Sequence, residues 1–255
     1  MKTLKKILLT LGVGFTFTAG CYAQSQDRSL PVVYVTTENG AQVVNKEDKI
    51  AATIWIDPRE SGMEGLGTQE SPVAFTLSGR GNYTWVGFDK KPYKLKFAKK
   101  TSVLGCPKNK TFALLAHADD DLSFLRNTVG FELSRRVGLS WTPTQIPVEY
   151  VCNGQYQGLY FFCETIKVGE GRVEITEQED LATNPEEING GWLVEIDNYD
   201  KDPHVEIIDG NGEKIIFTYK SPEELSEAQE TYLRQQMEAI NAALFDTDKS
   251  STKWE

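Results

Sequence analysis

The sequence predicts an α+β fold in which a twisted antiparallel sheet carries most of the chain and a helix packs against it. Short apolar or alternating runs recur between Gly, Asn and Pro turns, which is typical of strands. Two stretches, one near the middle and one near the C-terminus, have apolar residues at the three- and four-residue spacing of helices. The 255 residues are enough for one large domain or two smaller lobes.

The first 23 residues are typical of a secretory signal. Three lysines precede an apolar run at residues 7–17, and small residues follow it. Two processing sites stay open: cleavage after Ala23, or a lipobox that leaves Cys21 lipidated as a membrane anchor. We expect an exported protein in the periplasm, on the cell surface or outside the cell. No transmembrane span is expected once the signal is removed.

The charge balance argues against polyanionic partners. The chain has 27 Lys and Arg against 37 Asp and Glu, and without the three signal lysines its net charge is about −13. Such an acidic chain is not expected to bind nucleic acid or anionic membranes non-specifically.

Three cysteines follow the signal, which is too few for a disulfide framework. A bridge between Cys152 and Cys163 is disfavoured, because a two-residue turn at residues 153–154 would place Cys163 opposite Thr144.

The first strands are predicted at residues 30–35, 50–56 and 73–77. A surface loop rich in Gly, Glu and Ser, at residues 57–71, separates the last two of them.

A Gly-Arg-Gly turn follows the third strand. Gly79 and Gly81 give the backbone the freedom to fold closely around an anion while Arg80 points at it. The next strand alternates apolar residues with Lys94 and Lys96, so that one of its faces is cationic. Turn and strand together are suited to holding phosphates, although solvated lysines on a strand are common.

A strand or a helix start is predicted at residues 112–116. The carboxylates of residues 119–121 are expected to cap a helix rather than to bind metal. The helix carries a stripe of five apolar residues and ends at Gly138; the stripe consists of Leu122, Leu125, Val129, Leu133 and Val137.

A β-hairpin with an Asn-Gly turn is predicted at residues 148–163, and Glu164 lies at its exit. Two further strands are predicted at residues 191–196 and 214–219, with an acidic loop between them. A second helix is predicted to start at Ser221 with Pro222 in its first turn. Between Leu225 and Leu244 it carries an apolar face that would normally pack on following helices.

Five motifs in this order resemble the spore coat protein H (CotH) family of atypical protein kinases. They are Arg80-Gly-Asn82 with Trp85, Lys91-Pro-Tyr-Lys-Leu-Lys-Phe97, Leu114-Leu-Ala116, Leu125-Arg-Asn127, and Asn153-Gly-x-Tyr-x-Gly-Leu-Tyr160 with Glu164. The resemblance implies a kinase-like N-terminal lobe, with ATP bound between it and the start of a mainly helical second lobe. It also implies transfer of the γ-phosphoryl group to Ser or Thr of a secreted or surface protein, with Mg²⁺ as the metal.

The resemblance also implies candidate nucleotide contacts. Lys96 is the predicted phosphate-contacting lysine, with Lys94 as the alternative, and Arg80 supplies a forked donor. Tyr160 or Glu164 is placed beside the adenosine.

The aspartates that the family uses for metal binding and catalysis have no counterpart in this sequence, so no catalytic or metal-binding residue is assigned. We interpret residues 24–220 as the N-terminal lobe and residues 221–255 as the beginning of an incomplete second lobe, and we expect a truncated kinase. The alternative is a secreted β-rich binding or adhesion module without catalysis.

Overall fold

Seven strands from the first two thirds of the chain form one closed sheet. The computed structural model describes residues 28–120, 122–188, 190–197 and 200–248, so the predicted signal lies outside the described residues. The strands are β1 Val32–Thr37, β2 Ile50–Asp57, β3 Val73–Gly79, β4 Tyr93–Val103, β5 Cys106–Leu115, β6 Gln145–Cys152 and β7 Gln155–Glu164. Their order around the sheet is β1-β2-β3-β4-β5-β7-β6.

Parallel pairing between β1 and β6 closes the barrel, with Val32 opposite Glu149 and Val35 opposite Cys152. The predicted antiparallel pairing holds for the other neighbours. The sheet is, however, a closed barrel and not the twisted sheet that the sequence predicts. Alternation tells which face of a strand is buried, whereas closure depends on a pairing between strands that are far apart in sequence. The closed barrel does not confirm the predicted likeness to the N-terminal lobe of a kinase.

Alternate residues of the strands fill the barrel. In β4, Leu95 and Phe97 are buried while Lys94 and Lys96 are exposed, as the alternation predicts. The ring of Phe112 lies 5.0 Å from that of Phe162 and packs edge-on against that of Phe97. The core therefore lies inside the barrel, and any site formed by the lysines lies on its outer wall.

The Asn-Gly hairpin between β6 and β7 forms as predicted, with Cys152 opposite Gln155. One irregularity in the register moves Cys163 opposite Gln145 rather than Thr144. The three described cysteines are free, so Cys152 and Cys163 form no disulfide bridge with each other.

The described part of the chain has four α-helices: α1 Tyr83–Gly87, α2 Arg126–Arg136, α3 Pro185–Ile188 and α4 Glu227–Leu244. The predicted middle helix exists as α2, but its apolar stripe is not packed on the sheet. The five residues of the stripe are between 53% and 98% exposed. Helical spacing shows that a face is apolar and does not show what covers it. No helix in the described part of the chain has the length and apolar character needed to cross a membrane.

A second, three-stranded antiparallel sheet has the order β8-β10-β9, with β8 Leu193–Asp197, β9 His204–Ile208 and β10 Lys214–Ser221. The predicted strand pair is thus confirmed as β8 and β10, but the predicted loop between them contains β9. Val205 and Ile207 of β9 are buried, and His204 and Glu206 alternate with them. Because these polar residues lie within an acidic stretch, the sequence predicts a loop where the strand forms.

Helix α4 packs on this sheet through Leu233, which is fully buried with Val205, Ile207 and Phe217. The helix begins at Glu227 rather than at Ser221. Ser226 accepts a hydrogen bond from the backbone N–H of Gln229, and the Gln229 side chain accepts one from the backbone N–H of Ser226. This reciprocal capping satisfies two backbone donors and determines where the helix starts.

Candidate functional site

A cavity of about 880 Å³ opens between the outer wall of the barrel and the second sheet. Ala113 and Cys163 line it from the barrel, Phe131 from α2, and Leu193 with Lys220 from the second sheet. Its size is within the range of small-molecule sites. We therefore treat it as the candidate functional site.

The Gly-Arg-Gly turn holds Arg80 at the cavity wall. A Cβ on Gly79 would lie 2.6 Å from the ring of Trp85, and Gly81 has a φ of +83°, so both positions require glycine. The backbone N–H of Arg80 donates to the carbonyl of Pro92. These constraints fix the direction in which the guanidinium leaves the turn.

The Arg80 guanidinium is partly buried, and burial lowers its pKa, while Cys163 and Glu195 raise it. Among the described residues it has no carboxylate oxygen within 4.0 Å. A guanidinium that is half withdrawn from water and has no ion-pair partner is suited to binding an anionic ligand.

Lys94 lies on the outer wall beside this turn, opposite Ser78 on β3 and Ala113 on β5. Burial lowers its pKa, and the positive charges of Lys167, Lys96, Lys49 and Arg80 lower it further. The lowered pKa shows that several cations share this part of the surface. Lys167 is itself one of the residues that line the cavity.

Lys96 lies one step further along β4, opposite Thr76 and Thr111. It is exposed on the same outer face and is not among the residues that line the cavity. Its predicted contact with phosphate stays a prediction, as does that of Lys94.

Tyr160 lies inside the barrel and is 2% exposed. Its hydroxyl donates to the carbonyl of Lys91 at 3.1 Å, and Lys90 Nζ lies 4.7 Å from its ring centroid. Burial raises the pKa of this tyrosine. Tyr160 does not line the cavity, and its predicted adenosine contact stays untested.

Glu164 lines the cavity at the end of β7, but its carboxylate is turned towards protein partners. It accepts a hydrogen bond from the backbone N–H of Thr144 at 2.9 Å and lies 3.6 Å from Arg172 Nε. The side chains of the two charged residues are 2% and 1% exposed. This geometry gives Glu164 a structural role, while its predicted contact with the ligand stays a prediction.

The loop after β5 adds polar groups that the sequence did not single out as ligand contacts. His117 lines the cavity with a φ of +48°, and its ring stacks on that of Phe161 at 4.4 Å. Burial lowers the pKa of His117, which favours the neutral imidazole. The sequence shows that His117 is polar and follows a buried strand, but these two properties do not predict that it lines a cavity.

The prediction that a carboxylate of residues 119–121 is the N-cap is wrong, because the N-cap of α2 is Leu125, which makes no side-chain cap hydrogen bond. Asp120 lies five residues before it and binds the first residue of the helix. It accepts hydrogen bonds from the backbone N–H of Arg126 and from the Ser123 hydroxyl, each at 2.8 Å. The first of these hydrogen bonds is the main reason that its pKa is lowered. Asp121 lies outside the described residues.

No group of three or more His, Cys, Asp or Glu side chains within the described ranges is arranged to hold a metal ion. The structure thus brings Arg80 and Glu164 to one cavity, whereas Lys94, Lys96 and Tyr160 are not among the residues that line it. Of these three, Lys94 interacts electrostatically with Arg80 and Lys167 of the lining.

The family model described as CotH kinase protein matches residues 77–255, which is more than two thirds of the chain. None of the curated proteins compared with the chain matches it. The matched region begins in β3 and includes the Gly-Arg-Gly turn, the lysine strand, α2 and the β6–β7 hairpin.

Proposed function

The chain belongs to the CotH kinase protein family, and on that premise we propose that it binds ATP in the cavity and transfers phosphate to Ser or Thr of a secreted or surface protein. Bound ATP supplies the γ-phosphoryl group for this reaction. The residues of this chain bind the phosphates and exclude water from the site.

One observation carries the proposal: the Arg80 guanidinium lines the cavity without a carboxylate partner among the described residues. Arginine presents a fork of donors that matches phosphate oxygens. Lys94 and Lys167 add positive charge near Arg80, and the charges of Lys167 and Arg80 both lower the pKa of Lys94. An anion that binds here relieves the repulsion among these cations.

Apolar side chains that line the cavity suit a flat ring. Leu115 and Ala116 line it from the barrel side, Phe131 from α2, and Leu193 and Val194 from β8. Small-molecule sites combine such apolar walls with a few directed polar groups. The nucleoside is therefore assigned to this apolar lining and the phosphates to Arg80.

Mg²⁺ belongs to the proposal through the family alone, and we derive no step through it. Three of the carboxylates that line the cavity are engaged: Asp120 accepts the backbone N–H of Arg126, Glu164 faces Arg172, and Glu195 lies 3.4 Å from Lys220. No three acidic, His or Cys side chains in the described ranges are arranged to hold a metal ion. We therefore assign neither a metal ligand nor a catalytic base.

The proposed setting is outside the cytoplasm: the periplasm, the cell surface or the extracellular space. It follows from the signal-like first 23 residues, with lipidation at Cys21 as the open alternative. The acceptor is accordingly a secreted or surface protein. Nucleic acid is not a proposed partner, because the chain carries a net charge of −10.

Calorimetric titration with ATP and MgCl₂ tests the site. We expect saturable binding that Arg80→Ala weakens by about tenfold or more, because a hydrogen bond to a charged group contributes about 1.5–3 kcal/mol. Lys94→Ala and Lys96→Ala identify which lysine contacts the phosphates. Arg28→Ala is the control, since Arg28 is exposed and pairs with Glu60 at 3.3 Å. Unchanged binding in Arg80→Ala contradicts the proposed site.

A second candidate function is ligand binding without phosphotransfer, as in a secreted binding or adhesion module. It is favoured by the lack of a metal-binding carboxylate group among the described residues. Transfer of radiolabel from the γ-phosphoryl group to dephosphorylated casein decides between the two. Saturable ATP binding without label transfer supports the second candidate. If the protein shows neither ATP binding nor label transfer, ATP is not the ligand in either candidate function.

A further inference from the structure

The chain has an unusually uneven charge distribution. Residues 28–168, which contain the barrel, carry 17 Lys and Arg against 14 Asp and Glu. Residues 169–248, which contain the second sheet and α4, carry five Lys and Arg against 21 Asp and Glu. The first range is therefore mildly basic, with a net charge of +3, and the second range is strongly acidic, with a net charge of −16. A field of this kind orients charged partners as they approach.

The positive charge of the barrel is concentrated in the β4–β5 hairpin. Residues 90–118 contain eight lysines and no acidic residue. Four of these lysines, which we call the hairpin lysines, lie beyond the part of the hairpin that pairs with β3 and β7. The hairpin lysines are Lys99, Lys100, Lys108 and Lys110, and all four are exposed.

The hairpin lysines have no counter-charge in the described part of the chain. None has a carboxylate oxygen within 4.0 Å. Thr101 lies opposite Asn109, so Lys100 and Lys110 flank the same cross-strand pair. Like charges held this close across a hairpin are destabilising. An anionic partner would remove that repulsion, and none of these lysines belongs to the proposed ATP site.

The acidic range presents a complementary surface, which we call the acidic face. The carboxylate of Asp180 accepts the backbone N–H groups of Glu223 and Glu224, and the N–H of Leu181 donates to the carbonyl of Glu224. These bonds hold the segment before α3 against the start of α4. The acidic face consists of the exposed residues Glu179, Glu186, Glu187, Glu224 and Glu227, and none of them forms an ion pair with a described residue.

We propose that the hairpin lysines of one molecule bind the acidic face of a second copy of this chain. The charges are complementary, and neither surface is neutralised within its own molecule among the described residues. A nucleic acid or an anionic membrane fits less well, because the net charge of −10 repels an extended polyanion. A second copy instead offers the hairpin the acidic face of residues 169–248, which carry a net charge of −16.

The proposed contact is head to tail, so each molecule uses two different surfaces. Such heterologous contacts produce rings or open chains rather than closed two-fold dimers. The mass is therefore expected to grow with protein concentration. The contact is electrostatic, and the screening length falls from about 10 Å at 0.1 M salt to about 3 Å at 1 M salt. High salt is therefore expected to dissociate the molecules.

Sedimentation velocity at low and high salt tests the proposal. At about 20 mM salt we expect the average mass to rise with concentration above the 28.6 kDa of one chain, and at about 500 mM salt to return to it. Lys99→Glu/Lys100→Glu is expected to weaken association by about tenfold or more. Arg28→Glu/Lys46→Glu makes the same charge change elsewhere on the barrel and is expected to preserve it.

Complementary variants make the test specific for a second copy. Glu179→Lys/Glu224→Lys reverses the acidic face, and this variant alone is expected to stay monomeric, as is the hairpin variant. Mixed together, the two variants regain association, because each supplies a surface that the other lacks. A monomeric wild-type protein at low salt overturns the proposal, and so does a mixture that stays monomeric. If the hairpin lysines serve only to prevent edge-to-edge strand pairing, the wild-type protein stays monomeric at low salt.

Discussion

Replacing Arg172 by Met is expected to lower the free energy of unfolding by about 3–5 kcal/mol. Arg172 joins three parts of the barrel rim. Its guanidinium donates to the carbonyl and the hydroxyl of Thr165 and to the carbonyl of Thr111 at 3.3 Å. It also lies 5.4 Å from the ring centroid of Phe112 and 3.6 Å from the Glu164 carboxylate.

The magnitude follows from burial. The Arg172 and Glu164 side chains are 1% and 2% exposed, so water does not screen their attraction. Removing the cation alone leaves a buried carboxylate without its counter-charge, and this situation costs about 3–5 kcal/mol in other proteins. Glu164 Oε1 has no hydrogen-bond partner among the described residues, so the carboxylate has little to replace the lost charge. Methionine keeps most of the packing volume, which makes the loss electrostatic.

Urea unfolding followed by tryptophan fluorescence measures the effect. The double variant Glu164→Gln/Arg172→Met is expected to lose less than the sum of the single variants, because it leaves no unpaired charge. Arg136→Met is the control, since Arg136 is 75% exposed and its ion pair with Glu132 is on the surface, where we expect little change. A loss below about 1 kcal/mol in Arg172→Met, or additive losses in the double variant, would refute this reasoning.

The same variants separate two roles for Glu164. If the carboxylate only holds Arg172, then Glu164→Gln changes the urea midpoint and leaves the ATP affinity of the folded protein intact. If it contacts adenosine as the family resemblance implies, the affinity falls as well. Both measurements on one variant therefore decide whether Glu164 belongs to the ligand site.

Three further predictions concern the turn, the thiols and the last helix. Gly79→Ala is expected to lose about 1–3 kcal/mol by urea unfolding, because its Cβ would overlap a tryptophan ring at 2.6 Å, whereas the control Gly130→Ala, in open space on α2, gains up to about 1 kcal/mol. Burial raises the thiol pKa of Cys106 and Cys163 to about 12, above the ordinary value of about 8.5. The native state therefore holds these protons more tightly than the unfolded state, and the resulting stability is complete below about pH 8.5 and falls as the pH rises towards 12. Because Cys152 is free and only half-buried, the test uses a Cys152→Ser variant, in which rapid labelling by Ellman's reagent at pH 8 without urea would contradict this. Ser226→Ala removes the cap of α4 and is expected to lose about 1 kcal/mol, and an unchanged thermal midpoint would mean that the cap contributes nothing.

Local patterns in the sequence predict the strands of the barrel well. The alternation around Leu95 and Phe97 gives the correct buried face of β4, and the Asn-Gly pair gives the correct hairpin turn. Both depend on residues within a few positions of each other. The Gly-Arg-Gly turn is also local, and the structure places Arg80 at the cavity.

Features that depend on contacts between distant parts of the chain could not be predicted from short sequence patterns. Barrel closure needs Val32 to lie beside Glu149, and no short pattern encodes such a pair. The exposed stripe of α2 has the same spacing as a buried one, and β9 was hidden because charged residues alternate with Val205 and Ile207. In each case the missing information is which distant surface the residues meet.

The choice between Lys94 and Lys96 shows the same limit within the candidate site. Both side chains leave the outer face of β4, because residues two apart on a strand share a face. Their backbones are about 6.6–6.8 Å apart along the strand, so the two side chains start beside different residues of β5. Lys94 pairs with Ala113, which lines the cavity, whereas Lys96 pairs with Thr111, which does not. We therefore expect Lys94→Ala to weaken ATP binding more than Lys96→Ala, and the reverse order would place the phosphates one step further along the strand.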